Sequence, residues 1–247
     1  MRLTVLGAGP AYTDRQDAAG AAYLVSDGTT RILLDLGQGA FSRLFSEVEP
    51  TRLDAVVISH LHPDHFVDLV PLRHYLRYEF EPSRRVRVLG PADLAGRLDA
   101  LHAEPGFSFG ALDTEQLGEQ RRTIGTLTLE SRLVAHTAES YAVRVSGAGD
   151  RGLVYSGDCG RADDLVPLIR PGDALLIEAA FGAGPVAPGV LHLDAAAVGA
   201  LAAATGPSRV LLTHLLPNRD PEAALAVVAE RYGGPVQFVW PGDRIDL

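Results

Sequence analysis

Seven consecutive residues hold the densest chemistry in the chain: Ser59-His60-Leu61-His62-Pro63-Asp64-His65. Four ligand-type side chains fall within six positions, in a protein of 247 residues with eight histidines. His60 and His62 are two apart, so in extended backbone they point to one side. Asp64 and His65 fall at the turn that follows. Imidazole and carboxylate together suit zinc, and also manganese or iron. A purely polar turn makes no structural use of three histidines and an aspartate packed this tightly.

The elements around this cluster must position it. Short runs rich in Val, Ile and Leu predict strands at Leu3–Leu6, Ala21–Ser26, Arg31–Asp35, Ala55–Ser59 and Arg85–Leu89. Further strands are expected at Thr126–Val134, Tyr141–Ser146, Gly152–Ser156, Ala174–Glu178, Arg209–Thr213 and Val236–Trp240. Helices are expected at Ala40–Ser46, Phe66–Tyr78, Ala92–Leu101, Ala162–Ile169, Asp194–Ala204 and Pro221–Tyr232. Asp220 is placed to cap the last of these, with Pro221 at its first position. The stretch His102–Asp113 reads as the least structured. Several strands are apolar throughout, as strands covered on both faces are. Alternating strands and helices with no dividing linker imply one layered α/β domain over residues 1–247.

Composition narrows the partners. The 22 basic residues are all arginine, and with 31 acidic ones the formal charge is −9. Such an excess repels phosphate backbones and disfavours long nucleic acids. A lone cysteine, Cys159, permits no internal disulfide, which suits a reducing compartment. No apolar run reaches a membrane span of about 18–20 residues. The opening Met1–Gly7 reads as a first strand, and the expected location is cytoplasmic.

His60-Leu61-His62-Pro63-Asp64-His65 resembles the HxHxDH signature of the metallo-β-lactamase fold superfamily. That resemblance implies a four-layer αββα sandwich. It also picks out His136 in Val134-Ala135-His136-Thr137, Asp158 in Ser156-Gly157-Asp158-Cys159, and His214 in Leu212-Thr213-His214 as the remaining ligands. Each follows an apolar strand. The implied site is binuclear: His60, His62 and His136 on one divalent ion, Asp64, His65 and His214 on the other, and Asp158 bridging. Zinc is the leading ion, with manganese or iron as alternatives. Asp35, by analogy, supports a ligand histidine. The reaction implied is hydrolysis by metal-hydroxide attack, with Asp64 and His192 as the catalytic pair.

The superfamily acts on β-lactams, lactones, thioesters, phosphodiesters and sulfate esters, so the fold leaves the substrate open. His192, ahead of an alanine-rich helix, resembles the extra histidine of the phosphodiesterase branch near ribonuclease Z and the class II cyclic-nucleotide phosphodiesterases. A plain helix-start histidine is its structural alternative. No flexible tRNA-gripping arm and no basic run lies between His65 and His136. The expectation is therefore a small phosphodiester such as a cyclic nucleotide. A lactone or thioester hydrolase and a non-catalytic binding member are the alternatives, and a homodimer is compatible with either. Arg161, and the cluster Arg84, Arg85 and Arg87, are candidate phosphate contacts. Cys159 is expected to be a small buried residue.

Overall fold

The computed structural model describes residues 1–16 and 18–247. Strands β1 (Arg2–Gly7), β2 (Ala22–Ser26), β3 (Arg31–Leu34), β4 (Ala55–Val57), β5 (Val86–Gly90), β6 (Leu112–Gln116) and β14 (Arg244–Asp246) form the first sheet, in the order β14-β1-β2-β3-β4-β5-β6. The second sheet contains β7 (Arg121–Ile124), β8 (Leu127–Leu133), β9 (Tyr141–Ser146), β10 (Gly152–Tyr155), β11 (Ala174–Glu178), β12 (Arg209–Thr213) and β13 (Val236–Phe238), in the order β13-β12-β11-β10-β9-β8-β7. Each is mixed. Pairing is parallel from β3 to β6 and from β10 to β13, and antiparallel elsewhere.

The apolar strands bury both faces, and their alternation sorts side chains between cores. Tyr23 and Val25 of β2, Ile32 and Leu34 of β3, and Leu153 and Tyr155 of β10 meet between the sheets. Ala22, Leu24 and Leu33 face the opposite way, into a core closed by α1 (Phe41–Glu47), α3 (Leu69–Tyr78) and α4 (Leu94–His102). Val154, Leu175 and Ile177 do the same on the second sheet, under α5 (Ala195–Thr205) and α6 (Pro221–Ala229). The result is the four-layer αββα sandwich. On α5 the small residues bring the helices together: a Cβ on Gly199 would stand 3.2 Å from the Val228 backbone. No helix among the described residues is long and apolar enough to cross a membrane.

Three strands escape the sequence pattern. β6 (LDTEQ), β7 (RRTI) and β14 (RID) are short, charged and at sheet edges, where charge discourages further pairing. Two expected helices are interrupted. The run Phe66–Tyr78 divides into α2 (Pro63–Phe66) and α3, because Pro71 has no N–H for the Val67 carbonyl and sits in the first turn of a new helix. Ala162–Ile169 supplies only a 3-10 turn over Ala162–Leu165, with Pro167 just beyond it. The expected loop His102–Asp113 is mostly turns pinned by buried Phe107, whose carbonyl accepts from Arg73 Nε at 2.6 Å.

A buried ion pair ties β9 to the β11 entry. Arg144 forks onto Asp173 with Nε and Nη2 at 2.7 and 2.8 Å, and Asp173 also accepts from the Gly152 and Arg170 amides at 2.7 and 2.9 Å. Both side chains are almost wholly buried. Removing Asp173 leaves the buried Arg144 with only the longer pairing to Glu130 at 3.4 Å, so Asp173→Ala should cost about 3–5 kcal/mol in urea unfolding, whereas the exposed Arg2→Ala should cost under ~1 kcal/mol.

Candidate metal centre

Loops at one end of both sheets build the site. His60, His62, Asp64 and His65 follow β4, while His136, Asp158 and His214 follow β8, β10 and β12. All are C-terminal strand ends, where layered α/β folds place ligands. Pro63 sits at the first position of α2, with His62 extended before it (φ −79°, ψ 142°). This puts Asp64 and His65 on one helical turn beneath His60. His214 and Asp35 hold left-handed backbone, at φ 62° and φ 58°. Non-glycine residues rarely adopt it, and such strain gathers at functional sites.

The side chains converge into two clusters that share Asp158. One contains His60, His62, His136 and Asp158, and the other Asp64, His65, Asp158 and His214; within each, the ligand-type atoms lie within 4.8 Å of one another. His60 Nε2 and His136 Nε2 stand 3.7 and 3.6 Å from Asp158 Oδ2. His214 Nε2 is 3.3 Å from the same oxygen, and His65 Nε2 is 3.3 Å from Oδ1. His62 Nδ1 and His136 Nε2 approach to 3.1 Å. Every ligand residue expected from the sequence is thus brought together here.

Whether the cavity between them suits cations is decided by the polar atoms. His60 Nε2, His65 Nε2, Asp64 Oδ1 and Asp158 Oδ1 are buried without a hydrogen-bond partner. A buried polar atom left unpaired is costly. Four of them in these two clusters, two nitrogens and two carboxylate oxygens, fit divalent ions of the zinc, manganese or iron type. The clusters are consistent with a binuclear metal centre. Burial holds the His60 ring well below its usual range and lowers that of His62. Neutral imidazole is the form that binds metal. Burial opposes charge on His65 as well, but Asp158 and Asp35 outweigh it and raise that ring well above the ordinary value. Asp158 is driven well below the usual carboxylate range, its burial overcome by His214 and His65.

Behind the clusters lies a second set of contacts. Asp35 Oδ2 is 2.7 Å from His65 Nδ1 and accepts from Tyr155 Oη at 2.6 Å and Ser59 Oγ at 2.7 Å. Asp35 Oδ1 takes the Ser59 amide at 2.6 Å. The imidazole of His65 is thereby fixed with Nε2 toward the cluster. His136 Nδ1 donates to the Leu191 carbonyl at 2.7 Å. The Asp64 carbonyl packs so closely on Gly37 that a Cβ there would stand 1.9 Å away.

His192 stands against both clusters, its ring 4.8 Å from that of His136 and 5.9 Å from that of His214. Its Nδ1 meets Glu178 Oε1 at 2.9 Å. Glu178 is fully buried at the end of β11 and accepts the amides of Cys159, Leu193 and Ala180 at 2.9, 3.1 and 3.2 Å. The sequence reading missed Glu178, although a carboxylate ending an otherwise apolar strand was the available signal. His192 lies ahead of α5, whose N-terminus is capped by Asp194 accepting the Ala197 amide.

Other candidates fall away from the site. Arg85 and Arg87 are forked onto Asp113 and Glu115 of the neighbouring strand. Arg161 is exposed and paired with Asp164 at 3.3 Å. Cys159 is buried, its thiol pushed up to about 12 by burial and donating to the Arg161 carbonyl. His74 packs with His102 and Phe107, outside both clusters.

Residues 30–215 match the family described as the Beta-lactamase superfamily domain. The chain belongs to the metallo-β-lactamase superfamily. Within that superfamily it is 33% identical over 245 residues to an uncharacterized protein of Mycobacterium tuberculosis, covering 97% of this chain and 89% of that one. It is 28% identical to the Bacillus subtilis protein named Probable metallo-hydrolase YhfI, over 98% of this chain and all of that one. The crystal structure of YhfI superimposes with a TM-score of 0.87, covering 99% of each chain at 25% identity. Ribonuclease Z of Myxococcus xanthus is 25% identical over 100% of this chain and 98% of that protein.

Two outcomes test the centre. Elemental analysis of protein made with zinc or manganese available should give two ions per chain, falling to one or fewer in Asp158→Ala. Asp35→Ala and Gly37→Ala keep every ligand residue but disturb its support, and should weaken metal retention in a chelator competition by about 10–100-fold.

Proposed function

We propose that this protein is a binuclear metal-dependent hydrolase of small phosphodiesters, a cyclic nucleotide or a molecule like it. Zinc suits the imidazole-rich ligand set best, with manganese or iron as alternatives. The observation that carries the reading is the Glu178–His192 pair placed against the shared carboxylate Asp158. Opening a phosphodiester turns one P–O ester bond into an alcohol, and the departing oxygen needs a proton.

His60, His62 and His136 would hold one ion and Asp64, His65 and His214 the other, with Asp158 between them. When bound, two such ions acidify a shared water and stabilise negative charge on the phosphoryl oxygens. The chain's own residues do the rest. Glu178 holds Nδ1 of His192 in the protonated tautomer, which leaves Nε2 to carry the second proton. Burial alone would lower the His192 pKa, but the Glu178 carboxylate overrides it and raises it. The Glu178 carboxylate thus favours the protonated ring, from which His192 can give its Nε2 proton to the leaving alkoxide. Asp64 orients within the second cluster from a buried helical turn. Water adds to the phosphoryl group and one ester P–O bond breaks, giving a phosphate monoester and an alcohol, which in a cyclic nucleotide are two groups of the same ring-opened molecule.

The small substrate follows from charge and from what the site lacks. At −9, with Arg85 and Arg87 neutralised by their neighbours, the surface offers little to a long polyanion. The full-length similarity to a ribonuclease Z supports phosphodiester chemistry at such a centre.

The test is a hydrolysis screen of the metal-loaded protein across cyclic nucleotides, generic phosphodiesters, lactones and thioesters. Cyclic phosphodiesters should be turned over, and His192→Ala should lower kcat by about 10²–10⁴-fold with metal content unchanged. Efficient turnover of lactones or thioesters alone, indifferent to His192, would sink the reading in favour of an acyl-ester hydrolase.

A further inference from the structure

One large cavity adjoins the metal centre and has no part in the chemistry above. Its volume is about 850 Å³, and it lies between the turn that follows β4, helix α4 and the Thr137–Glu139 turn. That is within the roughly 300–1,000 Å³ of small-ligand pockets. His62 lines it and also belongs to the first cluster, so the space opens directly onto that cluster.

Helix α4 shows two faces. Leu94 and Leu98, four residues apart, are buried in the core beneath the first sheet. Arg97 and Leu101, also four apart, line the cavity instead. Residues at this spacing share one side of a helix. Leu101 is 52% exposed, a large apolar side chain left to water beside a polar centre. Together with Leu61, Phe66 and Pro91 it gives the cavity broad apolar walls. Arg97 has no hydrogen-bond or ion-pair partner for its guanidinium among the described residues, unlike Arg85, just before β5, and Arg87 on it.

Two carboxylates complete the lining. Asp93 precedes α4, and Glu139 is held in place by the Ala92 amide at 2.6 Å and Gln116 Nε2 at 3.2 Å. The cavity thus offers apolar faces, one unanswered donor fork and two acceptors. An alkyl chain would use the walls but leave the guanidinium without a partner. A second phosphate would meet Arg97 but face two carboxylates. A heterocycle with ring-nitrogen acceptors and an amino donor meets all three, and a guanidinium also stacks on such a ring.

We propose that this cavity holds the amino-substituted heterocyclic base of a nucleotide substrate, and that Arg97 and Leu101 select for it. The inference takes its substrate class from the phosphodiesterase reading, but base recognition is measured separately from turnover. The probes are adenosine 3′,5′-cyclic phosphorothioate, which resists hydrolysis, and the corresponding methyl riboside 3′,5′-cyclic phosphorothioate, which lacks the base. Binding is read by calorimetry on the metal-loaded chain.

The base-bearing probe should bind at least ~10-fold more tightly than the base-free one, and Arg97→Ala or Leu101→Glu should erase most of that difference. Turnover of adenosine 3′,5′-cyclic monophosphate by either variant should show the loss in KM far more than in kcat, with melting temperature unchanged because both side chains are exposed. Arg132→Ala, an exposed arginine lining a different surface, serves as the control and should match the parent. Equal binding of the two probes, or a base preference untouched by both variants, overturns the proposal even where cyclic phosphodiesters are hydrolysed. An Arg97-dependent base preference in a protein that hydrolyses no phosphodiester upholds the cavity and overturns the phosphodiesterase reading instead.

Discussion

The carboxylate of Asp158 is almost completely buried, and four histidine rings stand within 3.3–3.7 Å of its oxygens. A negative charge so far from water is stable only if positive charge is placed against it. The neighbouring rings supply some of that compensation through His65 and His214, which face the carboxylate most closely. Divalent ions would supply it in full. Much of the surrounding architecture serves this one constraint. Asp35, Tyr155 and Ser59 orient His65, while Leu191 orients His136. Left-handed backbone at Asp35 and His214 turns both chains sharply into the site.

Glu178 answers the same constraint on the other side. It is a second fully buried carboxylate, satisfied by three backbone amides and one imidazole. With its acceptor capacity so taken up, it has one task left, which is to fix His192. The two acids thus divide the work: Asp158 keeps an oxygen unpaired and aimed at the clusters, and Glu178 keeps none.

Much of this is legible in the amino-acid sequence itself. The ligand residues sit at the ends of strands whose apolar runs are unmistakable, so both their chemistry and their placement could be read locally. Asp35 as the support of a ligand histidine was also readable. What escaped was of two kinds. Edge strands such as β6 and β7 carry charge on purpose and look like loops. Glu178, by contrast, owes its role to long-range closure: Cys159, Leu193 and His192 reach it only once β10, β11 and the α5 approach are packed. The interruptions at Pro71 and Pro167 were written in the sequence and were outvoted there by the surrounding helical pattern. The phosphate-seeking role for Arg85 and Arg87 failed because strand pairing decides their partners: register sets Asp113 opposite Arg87 and Glu115 opposite Leu89, and each arginine reaches the acid diagonally across the pair.

The ligands are divided between the sheets: four come from the loop after β4, and three from loops after β8, β10 and β12. Neither half holds a complete cluster, since each cluster borrows from the other sheet. Its contacts between the sheets join residues distant in sequence, such as His62 and His136, and the entropy of closing such loops falls due before any of them forms. An ion therefore cannot act as the seed of this fold as it does in a small zinc finger. The sandwich must already stand on its own hydrophobic cores, and ions bound there would act as a clasp across its open edge, slowing the parting of the two sheets more than they would hasten their meeting.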